Sequence, residues 1–100
     1  MKLSLVIPVY NEEENLPLLW QEIQASVIPL NISWDVTFVD DGSKDRSAEV
    51  LRQLASQDPE HVQVVLLNRN YGQTAAITAG IDNSYGDVII LMDADLQNDP

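Results

Sequence analysis

The sequence predicts an α/β protein with a mostly parallel, doubly wound sheet, four strands alternating with three helices. Two observations carry that expectation. Four apolar, branched runs of strand length recur along the 100 residues, and the stretches between them place apolar residues at helical intervals. Parallel neighbours need a crossover connection, and each crossover helix must bury its apolar stripe on a face of the sheet, so right-handed crossovers follow.

The first strand is Leu3 to Val9 (LSLVIPV), with Pro8 near its end because proline cannot donate to a central ladder. Leu16, Leu19, Trp20, Ile23 and Val27 then recur at helical spacing, and Glu12 to Glu14 suit the positive end of a helix dipole. Pro17 is tolerated only in a first turn, which starts this helix near Glu13 or Glu14 and makes it about fifteen residues long. Asp35 to Asp40 (DVTFVD) is the second strand, stopped by the turn Asp41-Gly42-Ser43. Ser43 or Asp45 caps the second helix, whose apolar face is Ala48, Leu51, Leu54 and Ala55. Val62 to Leu67 is the third strand. Gln73 to Ser84 is the third helix, with Ala75, Ala76, Ala79 and Gly80 as a close-packing face and Gly86 as its terminator. Val88 to Met92 reads as a strand buried on both faces.

Five Lys+Arg against sixteen Asp+Glu give a formal charge of −11, which repels nucleic acid and anionic lipid alike. The lack of Cys excludes disulfide scaffolds and thiolate zinc sites, and a single His, His61, leaves His-Glu-x-x-His metalloprotease sites and Ser-His-Asp triads almost nothing to be built from. The apolar runs fall short of the roughly 18 residues that cross a bilayer, and no signal peptide is recognisable, so a soluble, intracellular segment is expected. The chain stops in polar residues directly after a strand, which predicts that it is the N-terminal piece of a longer domain. An open sheet edge would then favour pairing between chains.

In open α/β sheets ligands bind beyond the carboxyl ends of the strands. Those ends carry Tyr10, Asn11 and Glu12; Asp40 and Asp41; Asn68 and Arg69; and Asp93 and Asp95. Four carboxylates converging from two strand ends repel one another unless a cation or a ligand's N–H groups lie between them. Hard oxygen donors suit Mg²⁺ or Mn²⁺ completed by substrate phosphates. Each piece also has a plainer reading. With ten Asp in the chain, chance supplies roughly one Asp-x-Asp. Asp40-Asp41-Gly42-Ser43 can be a turn and cap only, Glu12 to Glu14 a solvated helix start, His61 a surface residue, and Trp20 and Trp34 core. Arg69 can meet a phosphate or pair with a rim Asp. Asp93 to Asp99 lacks the Gly of a calcium-binding EF-hand loop, and its place after three βα units departs from haloacid-dehalogenase phosphatases. Gly-x-Gly-x-x-Gly and P-loop motifs are absent.

Taken together, Val6-Ile-Pro-Val-Tyr-Asn-Glu-Glu13, Val39-Asp-Asp-Gly-Ser-Lys-Asp45, Asn70-Tyr-Gly-Gln-Thr-Ala-Ala-Ile-Thr-Ala-Gly80 and Asp93-Ala-Asp-Leu-Gln97 resemble family 2 glycosyltransferases of the GT-A fold. The order of the segments is similar to the polyprenyl-phosphate branch, which includes dolichol-phosphate mannose synthase and undecaprenyl-phosphate glucosyltransferases. The resemblance implies a Rossmann-like, nucleotide-binding part of such a domain across residues 1–100. It implies that Pro8, Tyr10 and Glu12 flank the nucleotide, that Asp41 with Val39 meets base and ribose, and that Asp40 supports them. Asp93 and Asp95 would hold the metal, Mg²⁺ or Mn²⁺, with Gln97 as a further metal contact and Ala94 beside the nucleotide. It further implies transfer from a UDP- or GDP-sugar to a polyprenyl phosphate, with inversion, at the cytoplasmic face of a membrane. No catalytic base is evident, and none is needed where the acceptor is already an anionic phosphate. The reading from a different class is a noncatalytic acidic α/β module that binds cations or nucleotides.

Overall fold

A computed structural model of the chain describes residues 1–94. The elements are β1 (Lys2–Val9), α1 (Leu16–Val27), a 3₁₀ turn (Ile28–Leu30), β2 (Ser33–Asp40), α2 (Ser47–Gln57), β3 (Val62–Leu66), α3 (Gln73–Asp82) and β4 (Val88–Leu91). The four strands form one parallel sheet in the order β3-β2-β1-β4. The chain therefore winds outward from β1 through β2 to β3, then crosses back through α3 to place β4 on the other side of β1. That reversal is a topological switch point, and the fold class is the one expected.

Alternation along the strands assigns the two faces. Leu3, Leu5, Ile7 and Val9 of β1 and Trp34, Val36 and Phe38 of β2 pack with Leu16, Leu19, Trp20, Ile23 and Val27 of α1 and Leu51 and Leu54 of α2. The intervening residues, Val6 and Val39, meet α3 at Gly80, where an added Cβ would run into Val6 and come within 3.1 Å of Val39. The two tryptophans lie in the core with ring centroids 6.0 Å apart. Trp34 also stacks on His61 at 4.1 Å, and His61 Nδ1 lies 3.0 Å from Asp58, so the single imidazole serves packing at the end of the sheet opposite the strand tips.

Several boundaries differ from the sequence-based expectation for identifiable reasons. Helix α1 begins at Leu16 and not at Glu13 or Glu14, because residues 12–15 form a turn whose Glu12 carbonyl accepts the N–H groups of Asn15 and Leu16 at 3.0 and 3.1 Å. The N–H of Glu12 donates to Ser47 Oγ at 2.8 Å and that of Glu13 to Asp45 at 3.2 Å. These tertiary partners hold residues 12–15 as a turn, and a helix opened at Glu13 or Glu14 would need an N–H from Pro17, which has none. Pro17 does fall in the first turn. At α2, Asp45 Oδ1 accepts the Ser47 N–H at 2.8 Å, whereas Ser43 Oγ accepts from Asn11 instead, at 2.9 Å.

Helix α3 ends at Asp82, so Gly86 is not its terminator. Gly86 donates its N–H to Ser4 Oγ at 3.0 Å, and a Cβ there would meet that oxygen and the β1 backbone. Its smallness lets the chain approach β1 before β4 begins. Strand β4 is likewise not buried on both faces. It pairs only with β1, and Val88, Ile89, Ile90 and Leu91 are 36–50% exposed, because among the described residues nothing flanks its outer edge. Among the described residues, no helix is long and apolar enough to cross a membrane.

Two outcomes follow from this packing. Gly80→Ala should lower stability by about 1–3 kcal/mol in urea unfolding, although Ala is the better helix former, because the methyl overpacks Val6 and Val39. Burial pushes the Asp45 carboxyl up, but the Ser47 side chain and the backbone N–H groups of Ser47 and Glu13 outweigh it and hold the carboxyl below its ordinary 3.8. A carboxyl held low in the fold contributes stability that is complete above its unfolded value and is lost as pH falls through the folded one. Acid unfolding of Asp45→Asn should therefore lose part of its pH dependence below pH 3.8.

Candidate functional site

The strand ends present their residues in a strict order set by the β1–β2 register, in which Pro8 lies beside Val39 and Val9 beside Asp40. Pro8 and Val39 share the face that carries α3, and one further alternation brings Asp41 to that face. The Val6 carbonyl accepts from Met92 on the β4 side, and the Val9 carbonyl accepts from Asp41 on the β2 side. Pro8, two residues on from Val6, therefore has its missing N–H on the β4 side, past Val6↔Leu91, the last registered pair. A proline is tolerated in this central strand because no ladder partner is left to serve there.

Beyond these tips lies a cleft of about 390 Å³ lined by Pro8, Val9, Tyr10, Glu12, Asp41, Asn70, Gly72, Gln73 and Asp93. It sits where the strand order reverses between β1 and β4, the position at which open α/β sheets bind ligands. Of the residues singled out from the sequence, Pro8, Tyr10, Glu12, Asp41 and Asp93 meet at this cleft. Val39, Asp40 and Ala94 are not among its lining residues. Val39 is sealed beneath α3, Ala94 joins the core on the α1/α2 side, and Asp40 faces away from α3, with Oδ2 accepting the Ser43 N–H at 3.2 Å. Asp40 Oδ1 is buried and meets no donor among the described residues. Asp95 and Gln97 lie outside the described residues.

Asp41 is 4% exposed, and its carboxylate holds the β3–α3 loop. Oδ1 accepts the Tyr71 N–H at 2.8 Å, and Oδ2 accepts the Gly72 N–H at 3.0 Å and the Asn70 side-chain amide at 3.1 Å. The Asn70 amide also donates to the Asp41 carbonyl at 3.2 Å. Gly42, at φ +71°, lets the same loop come close: a Cβ there would collide with the Arg69–Asn70 peptide. Gly72, at φ +106°, then turns the chain into α3 in a conformation that side chains disfavour. Asn70, Gly72 and Gln73 are thus part of the site although sequence reasoning assigned them no role. The signal that could have found them is the Asn-x-Gly sequence in the loop between β3 and α3.

The remaining polar groups are distributed as follows. Glu12 Oε1 accepts from the Asn15 amide at 2.8 Å. The Arg69 guanidinium lies over the Tyr71 ring at 4.9 Å, and the ion pairs given among the described residues are Lys2–Asp35, Arg46–Glu49 and His61–Asp58. No cluster of three acidic or imidazole side chains able to hold a metal ion occurs among the described residues. Asp93, at the cleft, brings a single hard carboxylate oxygen donor of the kind that Mg²⁺ and Mn²⁺ accept.

Comparison with known proteins places this geometry. The chain matches the family described as glycosyl transferase family 2 over residues 4–100. It is 55% identical over 97 residues to an undecaprenyl-phosphate 4-deoxy-4-formamido-L-arabinose transferase of Pectobacterium carotovorum, covering 97% of this chain and 30% of the relative. A transferase of the same description from Pseudomonas aeruginosa is 54% identical, covering 97% and 29%. The chain thus spans about 30% of the length of these curated relatives. Among solved structures, a mannosyltransferase of Pyrobaculum calidifontis in complex with GDP-Man and Mn²⁺ superposes with a TM-score of 0.82 at 22% identity, over 93% of this chain and 27% of that one. S. aureus TarS 1-349 in complex with UDP-GlcNAc gives 0.81 at 23%, over 95% and 27%. The fold is accordingly that of the GT-A glycosyltransferases.

Removing the Asp41 carboxylate leaves three donors of the 70–72 loop without their charged acceptor, which costs about 1–3 kcal/mol per buried group left unpaired. Asp41→Ala should therefore raise amide exchange at Tyr71 and Gly72 by at least about tenfold, with the β1–β2 ladder amides much less affected. Hydrogen exchange followed by NMR measures both.

Proposed function

The chain belongs to glycosyl transferase family 2, and from that premise we propose that residues 1–100 are the nucleotide-sugar-binding part of a GT-A transferase domain. The parent enzyme moves a sugar from a UDP- or GDP-sugar to a polyprenyl phosphate with inversion. The single observation that carries this reading is the cleft at the topological switch point, where Tyr10, Glu12, Asp41 and Asp93 converge from three strand ends. The acceptor class is supported by relatives described as undecaprenyl-phosphate transferases, and the donor class by structural neighbours bound to GDP-Man and UDP-GlcNAc.

In this reading Pro8, Tyr10 and Glu12 flank the nucleotide, Asp41 forms the base and ribose end with Val39 and Asp40 packed beneath it, and Asp93 forms the diphosphate end with Ala94 packed behind it. Asp93, with Asp95 and Gln97 beyond the described residues, would hold Mg²⁺ or Mn²⁺. That ion would supply neutralisation of the charge that develops on the leaving diphosphate. The acceptor phosphate oxygen forms the new bond to the anomeric carbon from the face opposite the diphosphate, whose C–O bond breaks. The nucleophile is anionic at neutral pH, so the residues of this segment need only bind and orient the donor. The parent acts at the cytoplasmic face of a membrane, where a polyprenyl phosphate is anchored. The exposed edge of β4 is the surface through which copies of this chain would pair.

The test is a titration of the chain with UDP and with GDP, each with and without Mg²⁺, followed by amide NMR. Shifts at Tyr10, Asp41 and Asp93 that need Mg²⁺ are expected, and Asp93→Asn should weaken the Mg²⁺-dependent binding by about tenfold, or about 1.4 kcal/mol. Absence of any nucleotide response, or a response indifferent to both Mg²⁺ and Asp93→Asn, would replace this reading with the noncatalytic acidic module.

A further inference from the structure

We infer that Asn11 is a positioning residue whose side-chain oxygen fastens the β1–α1 loop to the loop before α2, so that Tyr10 and Glu12 stand in place at the cleft before a nucleotide arrives. The inference rests on the donor-binding reading above and concerns how that site is kept in order, not which groups meet the donor.

No buried side chain anchors this loop. Val9 and Leu16 at its two ends are buried, and none of residues 10–15 between them is. A polar loop of this kind stays ordered only where hydrogen bonds offset the conformational entropy of its backbone. Among the described residues, six hydrogen bonds join residues 11–13 to residues 43–47, and Asn11 makes half of them. Its N–H donates to Ser43 Oγ at 2.9 Å, and its Oδ1 accepts the Lys44 and Asp45 N–H groups at 2.8 and 3.3 Å. Two N–H donors facing one atom also fix the amide, because a flipped side chain would set its NH₂ against both. The far side of the clamp is itself tied down: Ser43 donates its N–H to Asp40, and Asp45 accepts that of Ser47 at the start of α2.

The residue type answers two demands at once. Asn11 has φ +55°, a left-handed conformation for which glycine is the default and Asn and Asp come next. Glycine would serve the turn alone, whereas asparagine serves the turn and adds the acceptor. Tyr10 and Glu12 line the cleft, and Asn11 between them does not. Asn11 therefore reaches a ligand through its neighbours: with the loop already held, binding does not have to order Tyr10 and Glu12, and affinity rises without a new contact.

The experiment measures, on the full chain, backbone amide order parameters of residues 10–13 without ligand and the Kd for UDP and GDP with Mg²⁺. Order parameters near about 0.85 are expected in the unmodified chain, falling below about 0.6 in Asn11→Gly and Asn11→Ala. Gly keeps the positive φ, Ala keeps a stiffer chain, and neither has the oxygen. Both should weaken binding of the preferred nucleotide by about tenfold, whereas Asn11→Asp, which keeps the oxygen, should stay within about twofold. Protection of the β1–β2 ladder amides reports that the fold is intact. Should the Asn11 variants fail to fold, Ser43→Ala removes one of the three bonds and should weaken binding by about threefold with a partial loss of loop order. Mobile residues 10–13 in the unmodified chain overturn the inference, as does unweakened binding by Asn11→Gly or by Ser43→Ala. Failure of Asn11→Asp to restore binding overturns it too. Weakened binding with loop order unchanged would make Asn11 a direct ligand contact, and that also overturns positioning. An ordered loop in a chain that binds neither UDP nor GDP removes the donor-binding reading and this inference with it, a result distinct from binding that ignores the Asn11 substitutions.

Discussion

The parallel register between β1 and β2 is the constraint on which the rest of this structure depends. Eight consecutive pairs, from Lys2↔Ser33 to Val9↔Asp40, decide which residues of both strands face α1 and α2 and which face α3. Because side chains alternate with a period of two, a slip of one residue would exchange the faces entirely. Phe38 would meet α3, and Asp40 would take the place of Asp41 at the β3–α3 loop. The burial of Val6, Ile7, Val36, Phe38 and Val39 makes that slip costly, so the hydrophobic core and the placement of Asp41 are one decision made at the same ladder.

A chain with a formal charge of −11 must find something to do with its carboxylates. In this fold much of the surplus becomes connective, since carboxylates accept backbone N–H groups of other segments. Asp41 takes those of Tyr71 and Gly72, Asp45 those of Glu13 and Ser47, Glu13 that of Arg46, and Asp87 that of Lys2. Charge-assisted bonds of this kind are stronger than neutral ones, and they tie down loops that lack apolar residues to bury. The loops at the carboxyl ends of the strands are therefore held in place by acidic residues that also give the cleft its character. Acidity at the rim is a structural resource before it is a binding one.

Much of the fold was legible because it rests on local periodicity. Four branched runs and three helical stripes were enough to place the four strands and three α-helices, and the Tyr10, Glu12, Asp41 and Asp93 group followed from the rule that ligands gather at strand tips. The misreadings share one cause. The run Val88 to Met92 looks like a buried strand because its composition is apolar, yet burial depends on what lies beside a strand, and among the described residues β4 has a neighbour on one edge only. Ahead of α1, the Glu12 carbonyl closes a turn on Asn15, and that turn is held to Ser47 and Asp45, contacts from a distant part of the chain that the acidic lead-in does not announce. Gly86 looked like a helix terminator and is instead a point of close approach to Ser4.

By itself, then, the sequence determined the fold class, the family, the number and order of the strands and α-helices, and the residue types at the strand tips, since all of these depend on patterns a few residues long. The resemblance already set Asp41 at the ligand and Asp40 behind it; only the tertiary structure decided that Val39 and Ala94 are sealed behind the cleft, and that Asn70, Gly72 and Gln73 form its wall. The reason is that alternation in one strand becomes a direction in space only when a second strand pairs with it. A hydrogen bond between Asp41 and residues 70–72 likewise exists only once a whole βαβ unit has brought the two loops together.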